Sequence, residues 1–522
     1  LVVLLWSLTM ISAYFTMVRF GYYVAVNVSV LSAFLLSWFA TDVMAFEFDV
    51  DGLGDVKGYE VITILIIAIL LIPGNLVAVA GTQPPVWETA PRLGGTNDDW
   101  VESLDWLDEN TPEEPLNFTE YQEVPSDGDY DYPVDPSPLE GAYGVMSWWD
   151  YGHWITVQGR RIPFANPFQE GPRPASEYLT AQTETRAELV LEALPSIQDR
   201  QGDIVNLSNG DLRAIVEDQE PQERDEDVRY VVIDDQSAAN KFGAIATWTG
   251  FSQFISQQNF QIRNETRAFP GLNERYENTT LSRLYFGDAD GMAHYRLVHE
   301  TERYAVTGSV IDAQRGQVQR LNRILFRRSH DENFPNTEVS MKRIGGLLSD
   351  AQTIPAGGGQ LLYDIRTAAA VKTFERVPGA RLTGTANVSG PTDVTAVLTL
   401  QTENTRRNFT YSRTTSTSPD GSFSLTVPYP TDGGVSVDEG GTDTAVGAVG
   451  NYDVYVGDVD IRRLLGQTVV LGNQSESGSV DVPERAIYEG RDVSVSLEPV
   501  ERQSMPVGNG SAVPSGPPSV GG

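Results

Sequence analysis

Three long apolar runs open the chain, over residues 1–17, 21–40 and 61–80. Each approaches the ~20 residues that a helix needs to cross a bilayer. A secretory leader would give one such run followed by a small-residue cleavage site, so the pattern predicts three transmembrane helices over 1–82. The chain begins inside hydrophobic sequence without an initiator Met, and is expected to be the C-terminal part of a larger membrane protein. After Ala80 the pattern changes. Residues 81–138 are rich in Pro, Gly and acids, show little periodicity, and read as loop. Residues 175–194 have helical spacing, with Ser176 placed to cap the start and Pro195 to stop it. Residues 228–233 are an apolar, β-branched run that reads as a buried strand. That run leads into Asp234-Asp235, good helix caps, and a predicted helix from Gln236 to about Trp248 with Gly250 beyond its end. Two alternating segments within 283–300 flank Gly287-Asp288-Ala289-Asp290-Gly291 and predict a hairpin, with the two aspartates as turn residues. From about Phe374 the chain turns to Thr, Val, Ser and Gly, and runs such as 395–400 and 422–427 alternate as strands do. This predicts a β-sandwich over 374–500, and residues 501–522, rich in Gly, Pro and Ser, are expected to be disordered. The expected fold class is therefore multidomain: transmembrane α-helices, a mixed α/β soluble core over 83–373, and a C-terminal β-sandwich.

Charge narrows the function. Of 522 residues, 37 are Lys or Arg and 71 are Asp or Glu, a net charge of −34. A phosphate backbone needs a basic face, so no nucleic acid is expected as a partner. Cysteine is absent, which excludes a disulfide framework, a thiolate metal site and cysteine catalysis. Only four lysines occur, Lys57, Lys241, Lys342 and Lys372. An acidic, lysine-poor surface suits high salt, where repulsion is screened, although it could equally serve a basic ligand. Asn-X-Ser/Thr sequons occur at Asn117, Asn206, Asn264, Asn278, Asn387, Asn408, Asn473 and Asn509. Such acceptors are used only on the exterior side, so the soluble part is expected to be extracellular and the protein multi-pass in the cell membrane. Arg19 then lies at the outer face, either snorkelling to the headgroups or holding a lipid phosphate. Asp127-Gly128-Asp129-Tyr130-Asp131 lacks the glycine and glutamate of a calcium loop and reads as an acidic linker.

One stretch concentrates chemistry: Trp148-Trp149-Asp150-Tyr151-Gly152-His153-Trp154-Ile155. It holds three of the nine tryptophans around one carboxylate. Indole N–H donors beside a carboxylate can surround one small hydroxyl, which donates to Asp150 while ring faces exclude water. Such a site rejects a ligand lacking the hydroxyl, because its own polar groups would be left unpaired. The same residues could instead form an aromatic core cluster in which Asp150 caps a turn.

The pentapeptide Trp148-Trp149-Asp150-Tyr151-Gly152 resembles the signature of the catalytic subunit of oligosaccharyltransferases, and the chain is similar to the archaeal AglB-type members. His153-Trp154-Ile155 with Ala165-Asn166-Pro167-Phe168-Gln169 resembles the segment that follows it in that family. Arg283-Leu284-Tyr285 and Tyr295-Arg296-Leu297-Val298 are similar to a later family hairpin. The stretch around Arg19, Phe20, Tyr22 and Tyr23 resembles the end of the eleventh of thirteen spans. The resemblance implies that Trp148, Trp149 and Asp150, with Tyr151 and Gly152, bind the Ser/Thr hydroxyl of an acceptor sequon. It implies a second wall from a kinked helix of the form Asp-x-x-Lys-x-x-x-Met/Ile. Lys241 and Ile245 fit its second half, with Ile245 touching the Thr methyl. Asp234 and Asp235 precede Lys241 by seven and six positions rather than three, so which aspartate belongs to the motif stays open. Arg19 would contact the phosphate of the lipid-linked donor.

By the same resemblance, the intact enzyme transfers an oligosaccharide from a dolichyl phosphate carrier to Asn of Asn-X-Ser/Thr in an acceptor polypeptide. Its Mn or Mg would be held by acidic motifs upstream of Leu1, so no metal ligand and no catalytic residue is assigned within this chain, which is expected to be inactive alone. The pair Asp49 and Asp51 falls in the connection expected to be internal. A rival reading is a membrane-anchored, acidic cell-surface glycoprotein with a structural or peptide-binding role. It accounts for the acids and sequons but not for the tryptophan–aspartate segment.

Overall fold

Two apolar strands, Gly144–Met146 and Val228–Asp234, lie side by side and parallel, with Met146 opposite Val231. The computed structural model describes residues 2–16, short helical stretches within 26–38, and then 98–113, 143–167, 171–197, 204–218, 228–262, 265–312, 317–321, 324–327, 360–464 and 467–500. The two strands belong to a mixed five-stranded sheet. Ile162–Pro163 pairs parallel on the outer side of Gly144–Met146, while Val371–Arg376 and Tyr295–Glu300 complete the other side antiparallel. Val228–Asp234 is buried at all but one position, as the apolar run predicts. Val371–Arg376, which straddles the expected start of the β-sandwich, is an inner strand of this sheet.

The chain divides into Leu1–Asp98 and Asp99–Gly522. In the first, Val2–Thr16 is an apolar helix within the first hydrophobic run, and its Leu5, Leu8 and Phe15 are exposed. Among the described residues no helix is long and apolar enough to cross a membrane. Most of the second apolar run, all of the third, Arg19, the 41–58 connection, Asp127–Asp131 and residues 501–522 lie outside the described residues.

In the second unit, four local expectations change. Within the stretch read as loop, Asp98–Asn110 is a helix that buries Trp100, Leu104 and Leu107. Six acids among its thirteen residues obscure that i, i+4, i+7 stripe. The expected helix over 175–194 is two helices, Pro172–Thr180 and Glu184–Ala193. Thr183 starts the second by accepting Arg186 N–H at 3.1 Å, whereas Ser176 caps nothing and donates to the Ile245 carbonyl at 2.6 Å. The expected hairpin is a helix, Thr280–Tyr285, joined by a turn to the buried strand Tyr295–Glu300. Thr279 caps that helix through Ser282 N–H at 3.1 Å, a local bond that overrides the apparent alternation. The helix expected from Gln236 to Trp248 is broken at Ala239 into Asp235–Ala238 and Phe242–Ala246. Asp234 caps the first piece, as expected, accepting Ser237 N–H at 2.8 Å.

Further along, Gln360–Ala369, Arg303–Asp312 and Gln317–Arg320 form a second sheet, with Ile324–Arg327 paired to its central strand. The later strands form two sheets. One runs Ser422–Val427, Ala380–Thr385, Asp492–Ser494, and the other is built on Asp393–Thr402, Asn408–Ser416, Tyr452–Leu464 and Gln467–Val480. One hydrophobic core is continuous from Trp100 and Val145 through Phe374 to Leu398 and Val454.

Within the unit, His299 is buried against the face of Trp106, with ring centroids 4.8 Å apart. Burial pushes its imidazole down to about 4, although the Glu300 charge opposes this, so the folded chain holds it neutral. The unfolded chain takes up that proton near 6.5 and the folded chain only near 4. Stability from this group is thus complete above about pH 6.5 and is lost as pH falls towards 4, by on the order of 3 kcal/mol. The expected result is that His299→Phe flattens this part of the pH–stability curve, measured by urea unfolding at pH 7, 5.5 and 4.5. A curve parallel to the parent's would remove His299 from the account.

Candidate functional site

The pentapeptide follows the C-terminal end of Gly144–Met146, and Asp234 ends the parallel neighbour strand. Parallel pairing therefore brings both motifs to one edge of the sheet, where α/β proteins place ligands. Trp149–Tyr151 forms one tight helical turn closed by Tyr151 N–H to the Trp148 carbonyl at 3.0 Å, and Gly152 starts the next helix. A Cβ at Gly152 would sit 2.5 Å from the Ala165 carbonyl oxygen, so this position admits only glycine without movement of the 165–166 backbone.

A single polar chain links the two motifs. Lys241 Nζ lies 2.7 Å from Asp150 Oδ2 and donates to the Tyr151 hydroxyl at 2.8 Å. The ammonium also sits over the Tyr151 ring, 4.2 Å from its centroid. The Tyr151 hydroxyl in turn donates to Asp234 Oδ2 at 2.6 Å. Burial, reinforced by the Asp234 charge, holds the Tyr151 phenol well above its ordinary value, so it remains a donor. Asp150 and Lys241 are the open end of this chain, their side chains 29% and 31% exposed. Asp150 Oδ1 has no hydrogen-bond partner among the described residues.

Trp100 is the participant that sequence reasoning missed. Its indole N–H donates to Asp234 Oδ2 at 3.1 Å, and its ring stacks on Tyr151 at 4.2 Å between centroids. The stripe of Trp100, Leu104 and Leu107 could have signalled a buried helix; nothing local could have signalled its partner 134 residues away.

The other expected site residues are placed as follows. Asp234, not Asp235, connects to Tyr151; Asp235 is buried and accepts from the Gln236 amide at 2.8 Å. Trp148 is buried in the core with its ring 6.0 Å from that of Trp149, so it presents almost no surface, whereas Trp149 is partly exposed. Ile245 is fully buried, so the expected contact with an incoming methyl group has no accessible surface to use. The reason is the break at Ala239, after which the Phe242–Ala246 piece packs Phe242, Ile245 and Ala246 inward and its carbonyl is held by Ser176.

The open pair suits a neutral hydroxyl, which can donate to the Asp150 carboxylate and accept from the Lys241 ammonium at once. It does not fit a divalent metal. Asp150 is already paired with an ammonium, Asp234 accepts three hydrogen bonds, and no group of three or more His, Asp or Glu among the described residues is placed to hold one.

Comparison with known proteins agrees with this architecture. Residues 97–198, which carry the pentapeptide and Trp100, match the AglB core domain, and residues 379–493 match the archaeal glycosylation protein B long peripheral domain. The chain belongs to the archaeal AglB-type oligosaccharyltransferase family. The Haloferax volcanii dolichyl-monophosphooligosaccharide–protein glycotransferase AglB is 31% identical over 96% of this chain and 50% of its own length. The Archaeoglobus fulgidus dolichyl-phosphooligosaccharide–protein glycotransferase 3 is 28% identical over 82% of this chain and 48% of its own. This AglB-type chain thus spans about half the length of the curated relatives it matches. Two solved structures share its fold. The A. fulgidus oligosaccharyltransferase with Zn and sulfate has a TM-score of 0.50 at 23% identity, covering 94% of this chain and 55% of that one. The A. fulgidus AglB with an inhibitory peptide and a dolichol-phosphate has a TM-score of 0.51 at 21% identity, covering 94% and 53%.

Proposed function

We propose that this chain supplies the acceptor-recognition part of an enzyme that transfers an oligosaccharide from a dolichyl phosphate-linked donor to Asn of Asn-X-Ser/Thr. The observation that carries the reading is the partly open Asp150–Lys241 pair at the C-terminal edge of the parallel strands. A Ser or Thr hydroxyl inserted there donates to Asp150 and accepts from Lys241, and this holds the asparagine two residues earlier at a set distance. The asparagine amide nitrogen forms its bond to the anomeric carbon as the lipid phosphate leaves. The pocket's contribution is positioning. Support comes from the transferase names of the relatives and from the peptide and dolichol-phosphate bound by the A. fulgidus protein.

The reading takes Asp234 as the motif acid, because Asp234 alone of the two reaches Tyr151 and so sets where Lys241 points. It also takes the three apolar runs as membrane spans with the acidic part outside, Arg19 as the contact to the donor phosphate, and a divalent cation, Mn or Mg, as held by residues other than those described. The exposed apolar side chains of Val2–Thr16 are consistent with a lipid environment.

The test uses the protein in its natural membranes, supplied with lipid-linked oligosaccharide and matched Asn-X-Thr and Asn-X-Val peptides. The hydroxyl peptide should be modified and its valine twin should not, read by mass spectrometry. Equal use of both peptides, or of neither, would sink the reading. Within the same assay, Trp100→Phe keeps the stacked ring but removes the donor to Asp234. One neutral-to-charged hydrogen bond is lost, so KM for the peptide should rise about ten-fold with kcat nearly unchanged.

A further inference from the structure

Folding treats the chain's own sequons unequally. Five of those named above lie among the described residues: Asn206, Asn278, Asn387, Asn408 and Asn473. Transfer of the proposed kind needs two groups reachable together, the asparagine carboxamide and the hydroxyl two residues on. In four of the five that hydroxyl is already engaged in a hydrogen bond in the folded chain.

After Asn278, Thr280 is buried at the start of a helix and its hydroxyl donates to the Ala181 carbonyl at 3.3 Å. Asn408 lies in the ladder between Asn408–Ser416 and Asp393–Thr402, its side-chain Oδ1 accepting from the Gln401 amide at 2.7 Å. The matching Thr410 hydroxyl is paired with Thr468 at 2.6 Å. Asn473 lies in the ladder between Gln467–Val480 and Tyr452–Leu464, and the Ser475 hydroxyl donates to the Val456 carbonyl at 3.2 Å. Asn206 sits in a helical turn, and Ser208 is committed to the start of the next helix. Its hydroxyl donates to Asp211 at 2.6 Å and accepts Asp211 N–H at 3.2 Å.

Asn387 differs in its hydrogen bonding and its place in the chain, although Asn206, Ser208, Asn473 and Ser475 are exposed as well. It lies between Ala380–Thr385 and Asp393–Thr402, outside any ladder, and both Asn387 and Ser389 are exposed. The carboxamide of Asn387 and the hydroxyl of Ser389 have no hydrogen-bond partner among the described residues. Val388 between them rests on the core, and the Asn387 backbone N–H is held by the Glu476 carboxylate at 3.1 Å, so the segment is anchored beneath while its polar side chains face out. A Cβ at the following Gly390 would meet nothing within 4 Å, so the surroundings are open.

We infer that Asn387 is an N-glycosylation site of this protein, and the one described sequon that stays usable after the chain has folded. The bond between the anomeric carbon and the lipid phosphate oxygen breaks, the phosphate departing with the electron pair. A bond from the anomeric carbon to Asn387 Nδ2 forms, and one amide proton is released. The inference rests on the extracellular placement proposed above and not on this chain's own catalysis, because a separate transferase molecule can supply the activity.

The test takes the full chain, produced without glycans in a transferase-deficient host and folded. It is incubated with an active archaeal oligosaccharyltransferase from a separate source, lipid-linked oligosaccharide and a free Asn-X-Thr peptide, and glycopeptides are mapped by mass spectrometry. The hydroxyls of the other four sequons must first be released from their hydrogen bonds, so Asn387 should be occupied at least about ten-fold more than any of them. Unfolding the chain before the reaction should narrow that ratio, and Asn387→Gln should remove the dominant glycopeptide. An unmodified Asn387 beside a modified free peptide would overturn the inference, as would equal occupancy of the four other sequons in the folded chain. The free peptide reports the added enzyme, so neither result depends on whether this chain is itself a transferase.

Discussion

Asp150→Ala lowers kcat/KM for an Asn-X-Thr peptide by at least about a hundred-fold, while the folded fraction stays close to that of the parent. Two losses add. The acceptor hydroxyl loses a charge-assisted hydrogen bond, about 1.5–3 kcal/mol, and Lys241 is left with an ammonium whose counter-charge is gone. The partly exposed position of both groups limits the second loss, because water can solvate the ammonium. The fold should tolerate the change, since Asp150 makes no other polar side-chain contact among the described residues and Tyr151 remains held by Asp234. Asp150→Asn keeps an acceptor but not the charge, and should fall between the two. The measurement is initial rate against peptide concentration, with circular dichroism as the folding control. An unchanged kcat/KM in Asp150→Ala would take this carboxylate out of acceptor recognition.

The largest stability effect is expected far from that site. Arg407 is buried and donates to both oxygens of Glu300 and to both oxygens of Asp288, at 2.6 to 3.1 Å. Lys372 adds a bond to Asp288 at 2.6 Å, and Tyr304 and Thr405 donate to Glu300 at 3.0 and 2.7 Å. Burial alone would push the Glu300 carboxyl up, but the charge and hydrogen bonds of Arg407, with the Lys372 charge, together outweigh it and hold the group below the usual carboxylate range. Arg407→Met leaves two buried carboxylates with one lysine between them, and should cost about 3–5 kcal/mol in urea unfolding. Adding Glu300→Gln and Asp288→Asn removes the stranded charges and should recover part of that loss. If the single change costs under about 1 kcal/mol, or the triple variant is the weaker of the two, the network does not hold this region together.

Asp288 shows what a pattern of turn residues conceals. It does occupy a left-handed turn position, with φ of 53°, as its place beside two glycines suggested. Its carboxylate is nonetheless the meeting point of a strand, a turn and the Arg407 loop. The acids of Asp98–Asn110 misled in a similar way. They mark the solvent face of a helix whose other face carries Trp100, and a stretch judged by its charges alone reads as linker. The strand Val228–Asp234, the Asp234 cap and the strands around 395–400 and 422–427 were legible because each depends on neighbours in the chain.

The order of residues was by itself enough to determine the AglB-type kinship, the pentapeptide, Lys241 as a scarce cation worth placing, and the strand that leads to it. These are local facts, set by side-chain chemistry and by spacing over a few residues. Tertiary structure alone decided that Asp234 rather than Asp235 reaches Tyr151, that Trp148 and Ile245 turn inward, and that Trp100 joins from outside the motif. Each of those outcomes depends on the parallel register that sets Met146 against Val231, and on a helix break at Ala239. Pairing across 90 residues between Tyr151 and Lys241, or 134 between Trp100 and Asp234, leaves no periodic trace in either partner.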